Sequence, residues 1–150
     1  MELYNVKECH PDAVEVLWDL LRERPDYANI SHDGKPERNR HVSFVLAHPY
    51  REWTLIMAEN QWVGAIYITH QNEIGIGILK KYQRKGYARQ AIDLMMQRHP
   101  RPYYLANVAP GNHPSHRLWE SFPDHAICQI TYRITRGENH GNSINPTQTP

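Results

Sequence analysis

The sequence contains few of the features that mark the specialised classes of protein. It has two cysteines, Cys9 and Cys128, and their wide separation excludes a disulfide framework and the paired spacing of a zinc site. No apolar run approaches the roughly 20 residues of a membrane helix, and the first residues lack the pattern of a signal peptide. We therefore expect a cytoplasmic protein with two reduced, buried thiols.

An excess of charge of either sign is also missing. Lys and Arg number 17 against 16 Asp and Glu, which gives a formal net charge of +1. Proteins that bind nucleic acid through its phosphates are usually more basic, so nucleic acid is not an expected partner. The 10 histidines form no HExxH motif and no Cys/His cluster, so no metal is predicted.

The composition is that of a single globular domain. Of the 150 residues, 40% are hydrophobic and 22% are charged, and the length is that of one domain. We assign residues 1–136 to this domain. Residues 137–150 are predicted to be a disordered polar tail, because Ile144 is their one large apolar residue.

The spacing of apolar residues predicts an α/β (α+β) fold. Helical spacing predicts helices over residues 11–25, 37–48, 88–100 and 114–122. Alternating β-branched and aromatic residues predict strands over residues 3–7, 54–58, 62–69, 73–79, 103–108 and 128–134. About six strands and about four helices are thus expected.

A basic turn joins the strand over residues 73–79 to the next helix. Free backbone N–H groups at a helix start, the helix dipole and two cationic side chains together suit a phosphate or pyrophosphate. The turn is neither a Walker A loop nor a GxGxxG turn, and an ordinary structural turn remains an alternative. Its residues are Gln83, Arg84, Lys85, Gly86, Tyr87 and Ala88.

This turn resembles the Q/R-x-x-G-x-G/A signature of the GNAT superfamily of acetyl-coenzyme A (acetyl-CoA) dependent N-acetyltransferases. Residues 112–120 resemble the family's N-x-x-S-x-x-L-Y-E helix, and the likeness extends over residues 3–135. The resemblance implies a GNAT fold, in which a mixed central sheet is flanked by helices and splayed between strands 4 and 5, with acetyl-CoA as co-substrate. Three departures are the short segment after Phe122, Ala88 for the commoner glycine, and Trp119 for the usual tyrosine, since an indole cannot protonate a thiolate.

The resemblance also implies which residues contact the cofactor. The pantetheine arm would pair with the edge of the fourth strand around Ile78, Leu79 and Lys80, with room left by Gly75 and Gly77. The pyrophosphate would lie on the turn of residues 83–88. Asn112 and Ser115 match further cofactor contacts, although both residue types also cap helices.

Acyl transfer to an amine needs a base, an oxyanion donor and a proton donor. The resemblance implies Glu73 as the base, directly or through water, with a solvated strand end as the alternative. The backbone N–H near Leu79 is the expected oxyanion donor. The proton donor stays open between solvent and four tyrosines: Tyr82, Tyr87, Tyr103 and Tyr104.

The resemblance implies that the first two helices and the polar loop between them form the acceptor site. The candidate contacts in this loop and its flanks are Tyr27, Asn29, His32 and Arg40, with an ordinary solvated loop as the alternative. We predict an N-acetyltransferase that acts in a ternary complex on a primary amine of a polar small molecule, such as an amino-sugar, a nucleotide-linked sugar or a polyamine. A CoA-binding module without turnover and an amine on a nucleic acid or protein are the alternatives. A homodimer is left open, and no membrane partner is expected.

Overall fold

The computed structural model describes residues 1–28, 36–132 and 134. Its strands are β1 (Glu2–Asn5), β2 (Glu52–Ala58), β3 (Gln61–Ile68) and β4 (Ile74–Ile78). Its α-helices are α1 (Asp12–Glu23), α2 (Arg38–Ala47), α3 (Tyr87–Arg98) and α4 (His113–Glu120). The strands form an antiparallel sheet in the order β1-β2-β3-β4. The four helices and the first four strands of the sequence prediction are thus confirmed.

A two-residue turn sets the register of the β2–β3 hairpin. Glu59 and Asn60 have φ angles of 51° and 57°, the left-handed conformation that matches the twist of a tight hairpin. Leu55 consequently pairs with Ala65, and Tyr67 lies opposite Gly75 once β4 is added. This register decides which side chains face each side of the sheet.

The sheet separates two hydrophobic clusters. On one face Ile56, Ile66 and Ile74 pack with Ile92 and Met95 of α3. On the other face Leu55 and Ala65 pack with residues of α1 and α2, namely Val14, Leu17 and Val45. Helices therefore cover both faces, and the β4 edge stands between the two layers.

Arg89 joins α3 to the end of α4. Its guanidinium pairs with Asp93 at 3.1 Å, donates to the Ser121 carbonyl at 2.9 Å and lies 3.7 Å from the centre of the Phe122 ring. The planar guanidinium serves hydrogen bonding and stacking at once. These contacts hold α4 beside the N-terminal half of α3.

The last two predicted strands are not found in the described residues. Of residues 103–108 only Leu105 pairs, in a parallel bridge with Glu73. Residues 128–132 form no strand, and Ile130 and Tyr132 are 70% and 83% exposed. Alternation predicts a strand only where a partner edge is available, and no described strand pairs with this segment. Within the described residues the sheet therefore has four strands, where about six were expected.

The expectation that both cysteines are buried was also wrong. Cys9 is partly buried, but Cys128 is exposed, because it belongs to the unpaired segment that follows α4. The predicted tail of residues 137–150 lies outside the described residues. In the described part of the chain, no helix is long and apolar enough to cross a membrane, and no three His, Cys, Asp or Glu side chains are grouped to hold a metal.

Candidate active site

One edge of β4 changes from paired to open along the strand. The Ile74 N–H donates to the Leu105 carbonyl at 2.8 Å, which ties the start of β4 to the following segment. Pairing directions alternate along a strand, so the N–H and C=O of Ile76 and the N–H of Ile78 point to the same edge. In the described ranges none of these three groups has a hydrogen-bond partner on that edge. An extended ligand could pair with them as an added strand.

The N–H of Leu79 itself is not free to bind a ligand. This N–H donates to the Val63 carbonyl of β3 at 3.0 Å. The same alternation that points Ile76 and Ile78 outwards turns Leu79 inwards to the β3 ladder. The next residue, Lys80, donates its N–H to the Glu23 carboxylate at 2.7 Å. The candidate oxyanion donors are therefore the N–H groups of Ile76 and Ile78.

The space beside Gly75 and Gly77 is filled by protein side chains. A Cβ atom built on Gly75 would overlap the Tyr67 ring at Cζ, Oη and Cε1. A Cβ atom on Gly77 would lie 3.3 Å from Leu20 Cδ2 of α1. The two glycines admit a tyrosine and a leucine to the face of β4, so the room expected for the pantetheine arm is not there.

Glu73 lies at the entrance to β4, in a cavity of about 250 Å³. Its carboxylate accepts hydrogen bonds from the Asn107 amide at 2.8 Å and from the Thr69 hydroxyl at 3.3 Å. Both donors are neutral, and no described cationic side chain pairs with this carboxylate. An ammonium group of a ligand could therefore pair with this carboxylate.

Two stacked tyrosines line the same cavity. The rings of Tyr50 and Tyr67 are 3.9 Å apart between centres and only 5° from parallel. Trp53 packs against Tyr50 edge-on, at 4.9 Å between ring centres. Burial, with a smaller contribution from Tyr67, raises the pKa of Tyr50 well above its ordinary value, so Tyr50 stays neutral at physiological pH. The pair thus forms a rigid and uncharged wall beside Glu73.

The basic turn opens α3 as predicted. Gly86 caps the helix with a left-handed φ of 78°, and Arg84 is also left-handed with φ 61°. Such residues are typical of loops that turn backbone N–H groups toward an anion, and the first N–H groups of a helix have no partner within it. The Arg84 and Lys85 side chains are exposed, and the Gln83 amide donates to the Ile78 carbonyl at 2.9 Å. The turn is therefore anchored to the end of β4, and its cationic side chains lie at the exposed surface.

The other predicted contacts of this region have partners within the protein. The Tyr87 hydroxyl donates to the Glu59 carboxylate at 2.8 Å, and this hydrogen bond raises the pKa of Tyr87. Ala88 is partly buried in the first turn of α3. The Asn112 side chain caps α4 by accepting a hydrogen bond from the Ser115 N–H at 3.3 Å. Helix capping was the alternative to a cofactor contact for these two residues.

Trp119 packs on α4 as a hydrophobic residue. It is half-buried against the cluster on the α3 face, and its ring lies 5.8 Å and 26° from the Phe122 ring. The indole also cannot protonate a thiolate, as the tyrosine usual at this position could. A packing role for the indole follows.

The candidate proton donors do not line the Glu73 cavity. Besides Tyr87, the hydroxyl of Tyr104 is engaged with the His99 carbonyl at 2.7 Å, and Tyr103 is 58% exposed. Tyr82 packs below the ammonium groups of two lysines.

The predicted acceptor contacts do not line this cavity either. Tyr27 and Arg40 are exposed, outside the cavity wall, while Asn29 and His32 lie outside the described residues.

Several site residues were missed by the sequence prediction. They are Tyr50, Tyr67, Thr69, Ile76 and Asn107. Strand alternation from Glu73 would have found Ile76, and an aromatic residue opposite a strand glycine is a known signal that would have pointed to Tyr67. No local signal marks Asn107, because it reaches Glu73 only through the parallel bridge at Leu105.

Residues 11–122 match the model of the acetyltransferase (GNAT) family. The chain belongs to this family. The match includes β4, the basic turn and α4, in the order that the motifs predicted. The chain is thus an acetyltransferase of the class that uses acetyl-CoA as acyl donor. No curated protein matches the chain significantly.

Solved structures share the fold at low sequence identity. A ribosomal-protein-alanine N-acetyltransferase from Brucella melitensis biovar Abortus 2308 superposes with a TM-score of 0.60 at 14% identity, covering 90% of this chain and 98% of that one. An aminoglycoside antibiotic 6'-N-acetyltransferase from Acinetobacter haemolyticus gives 0.57 at 16% identity, covering 91% and 99%. The microcin C7 self-immunity acetyltransferase MccE, in complex with acetyl-CoA and AMP, gives 0.52 at 16% identity, covering 71% and 70%.

The described residues fit acetyl-CoA. The open N–H and C=O groups of Ile76 and the N–H of Ile78 suit the amide-bearing pantetheine arm. The left-handed turn at Gly86, with Arg84 and Lys85, suits the pyrophosphate at the start of α3. Both features lie at one end of β4, joined by the hydrogen bond from Gln83.

Proposed function

We propose that this acetyltransferase modifies a primary amine of a small polar acceptor by direct attack in a ternary complex. The observation that carries the proposal is the Glu73 carboxylate, which lines a cavity of about 250 Å³ beside the point where the β4 edge opens. Pockets for drug-sized ligands are commonly about 300–1,000 Å³, so this cavity suits the amine-bearing end of an acceptor such as an amino-sugar or polyamine.

The base and the oxyanion donor each have a candidate group in this chain. Acetyl-CoA supplies an activated acyl group. Glu73, held by Asn107 and Thr69, accepts the proton of the acceptor ammonium directly or through water. The outward N–H groups of Ile76 and Ile78 stabilise the charge that develops on the carbonyl oxygen. The lone pair of the amine is then free for attack, and no covalent enzyme intermediate is needed.

An amine panel with detection of released thiol tests the proposal. The panel contains spermidine, glucosamine and a peptide that begins with alanine, each with acetyl-CoA. At least one small amine should release thiol at a rate above hydrolysis. Thiol release with the peptide alone would favour a protein acceptor. Binding of acetyl-CoA without release on any amine would favour a CoA-binding module.

Glu73→Gln tests the base with little change of shape. Its turnover should fall by roughly a hundredfold or more, with the KM for acetyl-CoA unchanged, because only the proton acceptor is removed. Glu8→Gln is the matched control, since Glu8 is exposed and remote from β4 in the fold. Full turnover in Glu73→Gln would remove this carboxylate from the mechanism.

A further inference from the structure

The proposed reaction needs a proton for the departing thiolate, and the position of Tyr67 suggests its source. Tyr67 shares the cavity with Glu73 and with its stacking partner Tyr50. The tyrosines considered from the sequence lie outside the lining of this cavity, and Trp119 has no acidic proton.

The Tyr67 ring lies across β4 with its hydroxyl end over Gly75. Tyr67 pairs with Gly75 in the β3–β4 register, and the ring atoms nearest to the missing Cβ of Gly75 are Cζ, Oη and Cε1. The parallel ring of Tyr50 at 3.9 Å holds it in this position. Tyr67 thus belongs to β3, and its ring, fixed by stacking on Tyr50, places the hydroxyl over β4.

The Tyr67 hydroxyl lies over Gly75, the residue at which the edge of β4 changes from paired to open. Gly75 directly follows Ile74, whose N–H is tied to Leu105, and directly precedes Ile76, whose N–H and C=O point to the open edge. A thioester aligned on Ile76 would therefore lie beside Gly75. We propose that the Tyr67 hydroxyl is the catalytic proton donor to the leaving thiolate, an inference that rests on the proposed function.

The step balances with the groups already named. The neutral amine nitrogen forms a bond to the thioester carbonyl carbon and releases its second proton to water, and the carbon–sulfur bond breaks with its electron pair on sulfur. The Tyr67 proton passes to sulfur and gives the free thiol. The phenolate regains a proton from water or from Glu73, which took one from the acceptor ammonium. The net products are the N-acetyl amine, CoA and one proton.

Tyr67→Phe removes the hydroxyl and keeps the stacked ring. The first measurement needs no acceptor: CoA itself is bound to the protein, and ionisation of its thiol is followed by the ultraviolet absorbance of the thiolate. A hydrogen bond to a charged group stabilises the thiolate, so the acid dissociation constant of bound CoA should be lower in Tyr67→Phe than in the unmodified protein by roughly tenfold or more. Tyr4→Phe is the control, because its hydroxyl bonds Glu2 at the edge strand β1, and it should match the unmodified protein.

The second measurement is turnover against pH with the fastest amine of the panel. Tyr67→Phe should lower kcat by roughly a hundredfold or more and leave the KM for acetyl-CoA unchanged, as expected for a general acid. It should also abolish the fall of kcat at alkaline pH that comes from loss of the acid's proton. A variant with unchanged thiol ionisation overturns the proposal, and so does failure of the unmodified protein to bind CoA.

The two proposals can fail separately. A shifted thiol ionisation together with no turnover on any amine would keep the contact between Tyr67 and sulfur and remove the proposed acceptor class. Turnover on an amine that is equally fast in Tyr67→Phe would keep the acceptor class and overturn the role of Tyr67.

Discussion

Replacing Gly75 with alanine tests the close packing of β4 against Tyr67. The new Cβ would overlap the Tyr67 ring, which cannot retreat because Tyr50 stacks on it at 3.9 Å. Overpacking of this kind costs about 1–3 kcal/mol, and loss of the stacked pair costs about 0.5–1.5 kcal/mol more. Lower entropy of the unfolded alanine chain returns about 0.4–1 kcal/mol. We therefore expect Gly75→Ala to lower the free energy of unfolding by about 2 kcal/mol, or Tm by roughly 6 °C.

Gly77→Ala is the matched control on the same strand and the same face. Its nearest neighbour would be the Leu20 Cδ2 methyl at 3.3 Å, the flexible end of a side chain that can move slightly. Its stability should stay within about 0.5 kcal/mol of the unmodified protein. Chemical denaturation followed by tryptophan fluorescence measures all variants under the same conditions.

A double-mutant cycle tests whether overlap with the Tyr67 ring causes the loss of stability in Gly75→Ala. In a Tyr67→Ala background the ring is absent, so adding Gly75→Ala should cost nothing further. Equal destabilisation by Gly75→Ala in both backgrounds would refute the argument, as would equal stability of Gly75→Ala and Gly77→Ala.

Three more predictions concern other parts of the fold. Gly86→Glu should abolish the rise in Tm that acetyl-CoA produces by mass action, because it places a negative charge at the pyrophosphate position. Gly86→Ala is strained by the φ of 78° but uncharged, so it should keep part of the rise. A full rise in Gly86→Glu would contradict the assignment of the pyrophosphate to this turn. Trp119→Ala should lower the free energy of unfolding by about 2 kcal/mol, because its packing on Phe122 is lost. Trp119→Tyr should keep most of the stability and turnover. Normal stability without turnover in Trp119→Ala would instead place the indole at the acyl site. Burial lowers the pKa of His48, so its contribution to stability is present above the ordinary histidine pKa of about 6.5 and is lost as pH falls below it. His48→Asn, which tolerates the left-handed φ of 46°, should show a smaller fall in Tm on acidification, and an unchanged fall would contradict this cause.

Much of this protein could be predicted from local patterns in the sequence. Helical spacing located α1 and α3, and the β2–β3 hairpin followed from alternation around a short polar turn. The basic turn at Gly86 follows from neighbouring residues, because a left-handed glycine and a helix start are local features. These elements depend on residues a few positions apart, so their spacing alone carries the information.

The pairing directions and the composition of the cavity needed the tertiary structure. Leu79 and Ile76 differ in role only through the register of β4 on β3, which turned one N–H inwards and the other outwards. Glu73 and Asn107 meet across 34 positions of chain, and Tyr67 reaches Gly75 only because their strands pair. The segment of residues 128–132 shows the reverse case, since its alternation predicted a strand and no described strand pairs with it. Local propensity determines what a segment can form, whereas a partner elsewhere in the fold decides whether it forms and which groups remain free to bind a ligand.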